Sequence, residues 1–182
     1  MKQVDARRLV IVDECGSNIA LTPVYGWAPK GERAHGSVPR NRGKHTTRLS
    51  SLSLTGVGAG RIIEGAVNAQ VFETYVEQIL APSLSAGQIV VLDNLSAHKG
   101  ARVRQLIEAR GCELLFLPAY SPDYSPIEET FSKLKAFLRR VGARTHEALQ
   151  EAIGQALETV TAQDALGWFT HCGYQPAQAS EL

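Results

Sequence analysis

Short apolar runs punctuate the first third of the chain, and longer amphipathic segments fill the rest. Residues 8–14, Arg8-Leu9-Val10-Ile11-Val12-Asp13-Glu14, are few and rich in β-branched side chains, which predicts a buried strand ending in acids. Residues 19–25 and 48–55 predict two more strands. In the second of these, leucine and serine nearly alternate from Leu49 to Leu54, as in a strand with one buried face. Residues 29–47 between them are rich in Gly, Pro and basic residues, with Val38 as the sole large aliphatic, and predict a long loop. Gly56, Gly58 and Gly60 predict a turn, after which residues 61–67 return as a strand.

The pattern then alternates. Residues 71–80 predict a helix, 88–93 a buried strand, 101–109 a helix and 113–117 a strand. Pro126 opens a helix running to about Val141, at a position where no backbone donor is lost. A further helix is predicted from Thr145, as N-cap, to about Val160. Hairpins followed by β-α-β-α define an α/β chain with one mixed sheet flanked by helices. No internal repeat or domain boundary interrupts it, so residues 1–182 are expected to form a single domain.

Asp13 and Asp93 occupy equivalent places, each closing a buried apolar strand, and ligand sites of α/β sheets gather at such carboxyl ends. A third acid comes from Glu128 or Glu129. Ile127, Phe131, Leu134, Leu138 and Val141 follow the spacing of one buried helical stripe. At about 100° per residue, Glu128 lies at the border of that stripe, flanked by Lys135 and Arg139, whereas Glu129 points into solvent. Glu128 is therefore the expected ligand. Three carboxylates repel one another unless something holds them together, and hard divalent cations such as Mg²⁺ or Mn²⁺ do so. A pair of such ions about 4 Å apart suits phosphodiester cleavage.

The net charge of +1 conceals an uneven distribution. Residues 30–48 carry +5, residues 133–144 carry another +5, and the remainder carries −9. Concentrated basic charge suits a polyanion, although solvated surface stretches have the same composition. Cys15, Cys112 and Cys172 are odd in number and far apart, which excludes a disulfide framework or a Cys-x-x-Cys zinc pair. No window has the length and apolarity of a membrane span, and residues 1–5 hold no signal-peptide core, so a cytoplasmic location is expected.

Three blocks of sequence resemble the mariner-like insertion-sequence transposases of the DDE superfamily: Val12-Asp13-Glu14, residues 91–98 (VLDNLSAH), and residues 117–128 (LPAYSPDYSPIE). The proline-rich lead into Glu128 is the most specific of these. The 34 residues between Asp93 and Glu128 match the spacing of this branch, and residues 25–31 (YGWAPKG) are similar to the family's hairpin loop. The resemblance covers about residues 9–174, nearly the whole chain.

It implies an RNase H-like fold with an inserted basic hairpin loop and a core of about residues 8–174. It also implies that Asp13, Asp93 and Glu128 are the catalytic and metal-binding triad, with two Mg²⁺ or Mn²⁺ ions per site. The expected reaction is metal-dependent cleavage at transposon ends followed by attack of the freed 3′-hydroxyl on target DNA, with no covalent enzyme intermediate. Double-stranded DNA is the expected partner. Lys30, Arg33, Arg40, Arg42, Lys44, Arg48, Lys133, Lys135 and Arg139 are expected to meet its phosphates. A homodimer is expected in the working complex.

Family members commonly carry a helix-turn-helix region of about a hundred residues before the first Asp. Here Met1 stands twelve residues ahead of Asp13, so the chain is expected to be the catalytic domain alone, with a recognition domain trimmed away or encoded separately. Tyr124-Ser125 replaces the usual Leu-Asn before Pro-Ile-Glu. His98 is expected to be a helix-start residue on the surface. Trp27 either stacks on a base or closes a small apolar cluster. A nuclease without strand transfer and an inactive DNA-binding relic are the alternative readings. A receiver-type phosphoacceptor requires regular βα units that residues 15–67 do not show.

Overall fold

The structure, a computed structural model, describes residues 4–177. Five strands form one sheet in the order β3-β2-β1-β4-β5: β1 (Leu9–Ser17), β2 (Thr46–Ser53), β3 (Gly56–Glu64), β4 (Ile89–Leu92) and β5 (Glu113–Phe116). The pairs β1–β2 and β2–β3 are antiparallel, while β1–β4 and β4–β5 are parallel. A hairpin half and a parallel half thus meet at β1, as the change in sequence pattern predicts.

Side chains alternate across β1 and β4 and divide the core into two layers. Leu9, Ile11 and Cys15 share one face with Ile89 and Val91. That face is covered by α4 (Ile127–Val141), α5 (His146–Glu158) and α6 (Ala162–His171). Val10 and Val12, with Val90 and Leu92, face the other way, toward α1 (Ala69–Tyr75) and α3 (Ala101–Glu108). Beyond α1 the helix widens to a π segment, Val76–Leu80, and closes as α2 (Ala81–Ser83). Both central strands are buried on both faces, so their sequences read as continuous apolar runs.

Three expectations need correction. Residues 19–25 form no strand, because the Arg144 guanidinium takes the carbonyls of Ile19 and Leu21, both at 3.0 Å, that a ladder would use. The chain from residue 18 to 45 is accordingly a loop without strand pairing of its own. Gly58 and Gly60 lie inside β3, and the turn falls at residues 54–55. A Cβ at position 58 would crowd Ser51 Oγ and one at position 60 the Leu49 carbonyl, so these glycines permit close approach beside the bulge in β2–β3 pairing. Finally, Val141 is 46 % exposed and falls out of the predicted α4 stripe, in which Thr130 is buried.

The helix ends follow local chemistry. Thr145 Oγ1 accepts the Ala148 N–H at 3.2 Å, as the predicted N-cap. At the end of α4, Gly142 takes the left-handed conformation (φ 63°), and its N–H bonds the Leu138 carbonyl. Sequence reasoning missed α6, whose apolar periodicity is short and interrupted by Gly167. Its signal was the capping box, in which Thr161 and Asp164 satisfy each other's backbone N–H groups.

Candidate active site

The parallel register brings two acids together. Leu9, Val10, Ile11 and Val12 pair in turn with Ile89, Val90, Val91 and Leu92. Asp13 and Asp93 are each one residue beyond the last of these pairs, and period-two alternation assigns both to the face covered by α4. The third acid arrives by a constrained route. Leu117 N–H bonds the Leu92 carbonyl at 2.8 Å, tying the chain after β5 to β4. A 3₁₀ turn at Pro122–Tyr124 and Pro126 then direct the backbone into α4. Tyr174 Oη anchors this lead by donating to the Tyr124 carbonyl at 2.8 Å. Ile127 and Phe131 bury the inner face of α4, leaving Glu128 exposed at its first turn.

Asp13, Asp93 and Glu128 line one cavity of about 370 Å³, together with residues of the proline-rich segment. Tyr120 stands at this cavity fully exposed, with a backbone φ of 57°. Glu129 does not point freely into solvent as expected. It is half-buried and lies 3.1 Å from His171 Nδ1 on α6. It lines a separate cavity with His171 and Cys172, which Glu128 also touches.

Burial is the main cause that pushes the Asp13 carboxyl up to about 7. A hydrogen bond from the Glu14 N–H at 2.7 Å opposes this, and the charges of Glu14, Glu128 and Asp93 add to it. Burial also opposes ionisation of Asp93, but hydrogen bonds from His98 and the Leu95 N–H prevail and hold its carboxyl below the usual range.

The expectation of a surface His98 is overturned. Its side chain is fully buried, packed on Phe72 with ring centroids 4.0 Å apart. Nδ1 meets Asp93 Oδ1, and Nε2 lies 3.0 Å from Glu14 Oε2. Burial disfavours the imidazolium, yet the two carboxylates outweigh it and raise the pKa to about 9. The VLDNLSAH block contained this residue. Its burial was invisible there because Phe72 and Glu14 come from distant parts of the chain.

As the side chains stand, no three His, Cys, Asp or Glu among the described residues are gathered closely enough to enclose a metal ion. The three acids expected to converge line one cavity, with one oxygen of Asp93 engaged by His98. This donor set still fits Mg²⁺ or Mn²⁺. Such ions take hard oxygen ligands, keep several waters and need only one or two carboxylates besides substrate phosphates.

The cationic residues are dispersed unequally. Lys30, Arg33, Arg40, Arg42 and Lys44 are exposed on the loop, with Lys44 paired to Glu64 at 2.9 Å. Arg48 is half-buried and donates to Ser50 Oγ at 3.0 Å. The Lys133 ammonium is held by Asp164 and the Thr159 carbonyl, both at 2.8 Å, so its charge serves the docking of α6. Lys135 and Arg139 are half-buried on α4. Trp27 is fully exposed and closes no apolar cluster among the described residues.

A mixed five-stranded sheet flanked by helices, with acids at the ends of its central parallel strands and a third on the helix packed against them, is an RNase H-like fold. The chain belongs to the DDE superfamily endonucleases, whose family pattern matches residues 8–150. Among solved structures it resembles the Mos1 transposase in a pre-cleavage transpososome, with a TM-score of 0.69 and 19% identity over 92% of this chain and 52% of that one. The Mos1 strand transfer complex matches with a TM-score of 0.69 and 21% identity, over 92% of this chain and 51% of that one. The Mos1 transposase catalytic domain with Raltegravir and Mg matches with a TM-score of 0.64 and 17% identity, over 92% of this chain and 79% of that one. At these identities the likeness is one of fold, and the chain spans about half the length of the Mos1 chains in the two complexes. None of the curated proteins compared with it matches in sequence. Among the described residues no helix is long and apolar enough to cross a membrane.

Proposed function

We propose that this chain is the catalytic domain of a mariner-like DNA transposase, cutting DNA at transposon ends and joining the freed 3′-hydroxyl to a target strand. The observation that carries this reading is the cavity shared by Asp13 and Asp93, each one residue past the last register pair of β1 and β4, and Glu128 on the helix packed against them. Family membership and the fold of Mos1 support it.

In this reading Asp13, Asp93 and Glu128 hold two Mg²⁺ or Mn²⁺ ions. When bound, the ions supply a nucleophile at neutral pH and charge stabilisation for the leaving oxygen. Asp13 would hold an ion as the carboxylate, and its place in β1 fixes its position. Asp93 is ionised beforehand. In the first step water breaks a phosphodiester and leaves a 3′-hydroxyl. In the second, that hydroxyl oxygen forms a bond to a target phosphorus, its proton is lost, and the target's own 3′-oxygen departs.

Lys30, Arg33, Arg40, Arg42 and Lys44 meet DNA phosphates from the loop, and Lys135 and Arg139 do so from α4. Arg48 and Lys133 act through the fold, given their internal partners. Such contacts give affinity and register without reading bases, so recognition of the ends is assigned to a separate helix-turn-helix unit. One copy of this domain per transposon end makes the working complex a homodimer, acting in the cytoplasm.

The test is Mn²⁺-dependent cleavage and joining with a duplex bearing transposon-end sequence. Asp13→Asn, Asp93→Asn and Glu128→Gln should each abolish both products. Cleavage without joining would identify a nuclease instead, and wild-type activity in any of these variants would remove that residue from the site.

A further inference from the structure

His98 is a wholly buried titratable side chain to which the chemistry above gives no task. It lies in the 3₁₀ turn Ser96–His98, five residues after Asp93, with its ring against Phe72 of α1. Its two nitrogens engage carboxylates from two strands, Asp93 after β4 and Glu14 on β1. Asp93 Oδ1 also accepts the Leu95 N–H at 3.1 Å, so this one oxygen is taken by two donors. No hydrogen bond among the described residues uses Oδ2. Glu14 neighbours Asp13 in the strand, and alternation assigns it to the opposite sheet face, where Val12 and Phe72 are buried.

We propose that His98 is a positioning residue of the acidic site: it grips Asp93 by one oxygen, holds Glu14 on the far side of the sheet, and so leaves Asp93 Oδ2 as the oxygen offered to a divalent cation beside Asp13. The proposal rests on the metal-dependent reading above. Its physical basis is orientation. A carboxylate on a loop after a strand rotates about two torsions, and a buried imidazole wedged between an aromatic ring and a second acid removes that freedom. Outer partners of this kind typically tune metal affinity or activity about 10- to 100-fold.

The test titrates Mn²⁺ alone into the DNA-free chain, reading free ion by its EPR signal, for the wild type and for His98→Gln, Glu14→Gln and Asp93→Asn. His98→Gln should weaken Mn²⁺ binding about 10- to 100-fold, and its cleavage activity should recover as Mn²⁺ is raised. Glu14→Gln, which leaves the grip on Asp93 intact, should weaken binding less. Asp93→Asn should not be rescued by added metal. Mn²⁺ affinity of His98→Gln within twofold of the wild type would overturn the proposal. A wild type that binds no Mn²⁺, with an Asp93→Asn variant that cleaves normally, would instead overturn the metal reading on which it depends.

Should His98→Gln not fold, the wild type labelled with ¹⁵N-histidine carries the test. Slowly exchanging downfield imidazole N–H resonances of His98 are expected in the metal-free chain and at saturating Mg²⁺. Their loss on adding Mg²⁺ would show that His98 releases Asp93 when the ion binds, and the positioning role would fall.

Discussion

Replacing Asp13 by Asn should stabilise the protein while destroying its chemistry. The Asp13 carboxyl, pushed up to about 7 mainly by burial, has an ordinary value of 3.8 when the chain is unfolded. The folded state therefore holds this proton more tightly than the unfolded state does. Stability contributed here is greatest below about pH 4, falls as the pH rises to about 7, and the full cost of a buried charge is present above that. At 1.36 kcal/mol per pKa unit the cost at pH 8 is about 4 kcal/mol. An Asn side chain carries no charge at any pH, and its carbonyl can still accept the Glu14 N–H. The variant should therefore gain about 2–4 kcal/mol at pH 8, melting about 5–10 °C higher. Near pH 4 the difference should shrink to about 1 kcal/mol or less. Urea denaturation of both proteins at pH 4 and pH 8, without divalent ions, measures this directly. Saturating Mn²⁺ should stabilise the wild type and narrow the gap at pH 8. An Asn variant no more stable than wild type at pH 8, or a gap equal at both pH values, would refute the assignment of a buried, repelled carboxylate.

Glu128→Gln should lose cleavage, whereas Glu129→Gln should keep it and change stability by less than about 1 kcal/mol, because the Glu129–His171 pair is largely exposed. The reverse pattern in a cleavage assay would show that α4 presents the other acid. DNA binding should be weak and nearly independent of sequence. If about five phosphates are engaged, log K should fall with log salt at a slope of about −4.5. Ala at Arg40, Arg42 and Lys44 together should flatten that slope equally for a transposon-end duplex and a scrambled one, and discrimination above about a hundredfold would mean that this domain reads bases. Phe169→Ala should cost about 3–5 kcal/mol in urea denaturation, because this ring of α6 is fully buried in the layer under α4. A loss below about 1 kcal/mol would mean that α6 contributes little to that layer.

What the sequence by itself determined is local in origin. Continuous apolar runs marked β1 and β4 as strands buried on both faces, and each run ended in an acid. The heptad-like spacing of Ile127, Phe131, Leu134 and Leu138 oriented the buried face of α4 and set Glu128 at its border, where it lines the cavity with Asp13 and Asp93, and the 34-residue spacing agreed with a known family. These features depend on periodicity and chain distance, which survive in one dimension. Tertiary structure alone decided whatever depended on partners far away in the chain. Arg144 denies residues 19–25 their strand by taking carbonyls about 125 positions distant. Glu129 faces His171 because a helix capped by Thr161 and Asp164, with little periodicity of its own, docks beside α4. Lys133 is spent on that docking. His98 looked like a surface cap in the linear sequence and is instead buried between Asp93, Glu14 and Phe72, since the parallel register of β1 and β4 and the packing of α1 close around it. A side chain's pattern along the chain indicates which face it occupies, but the charges and rings that meet it there are supplied by segments that only folding brings near.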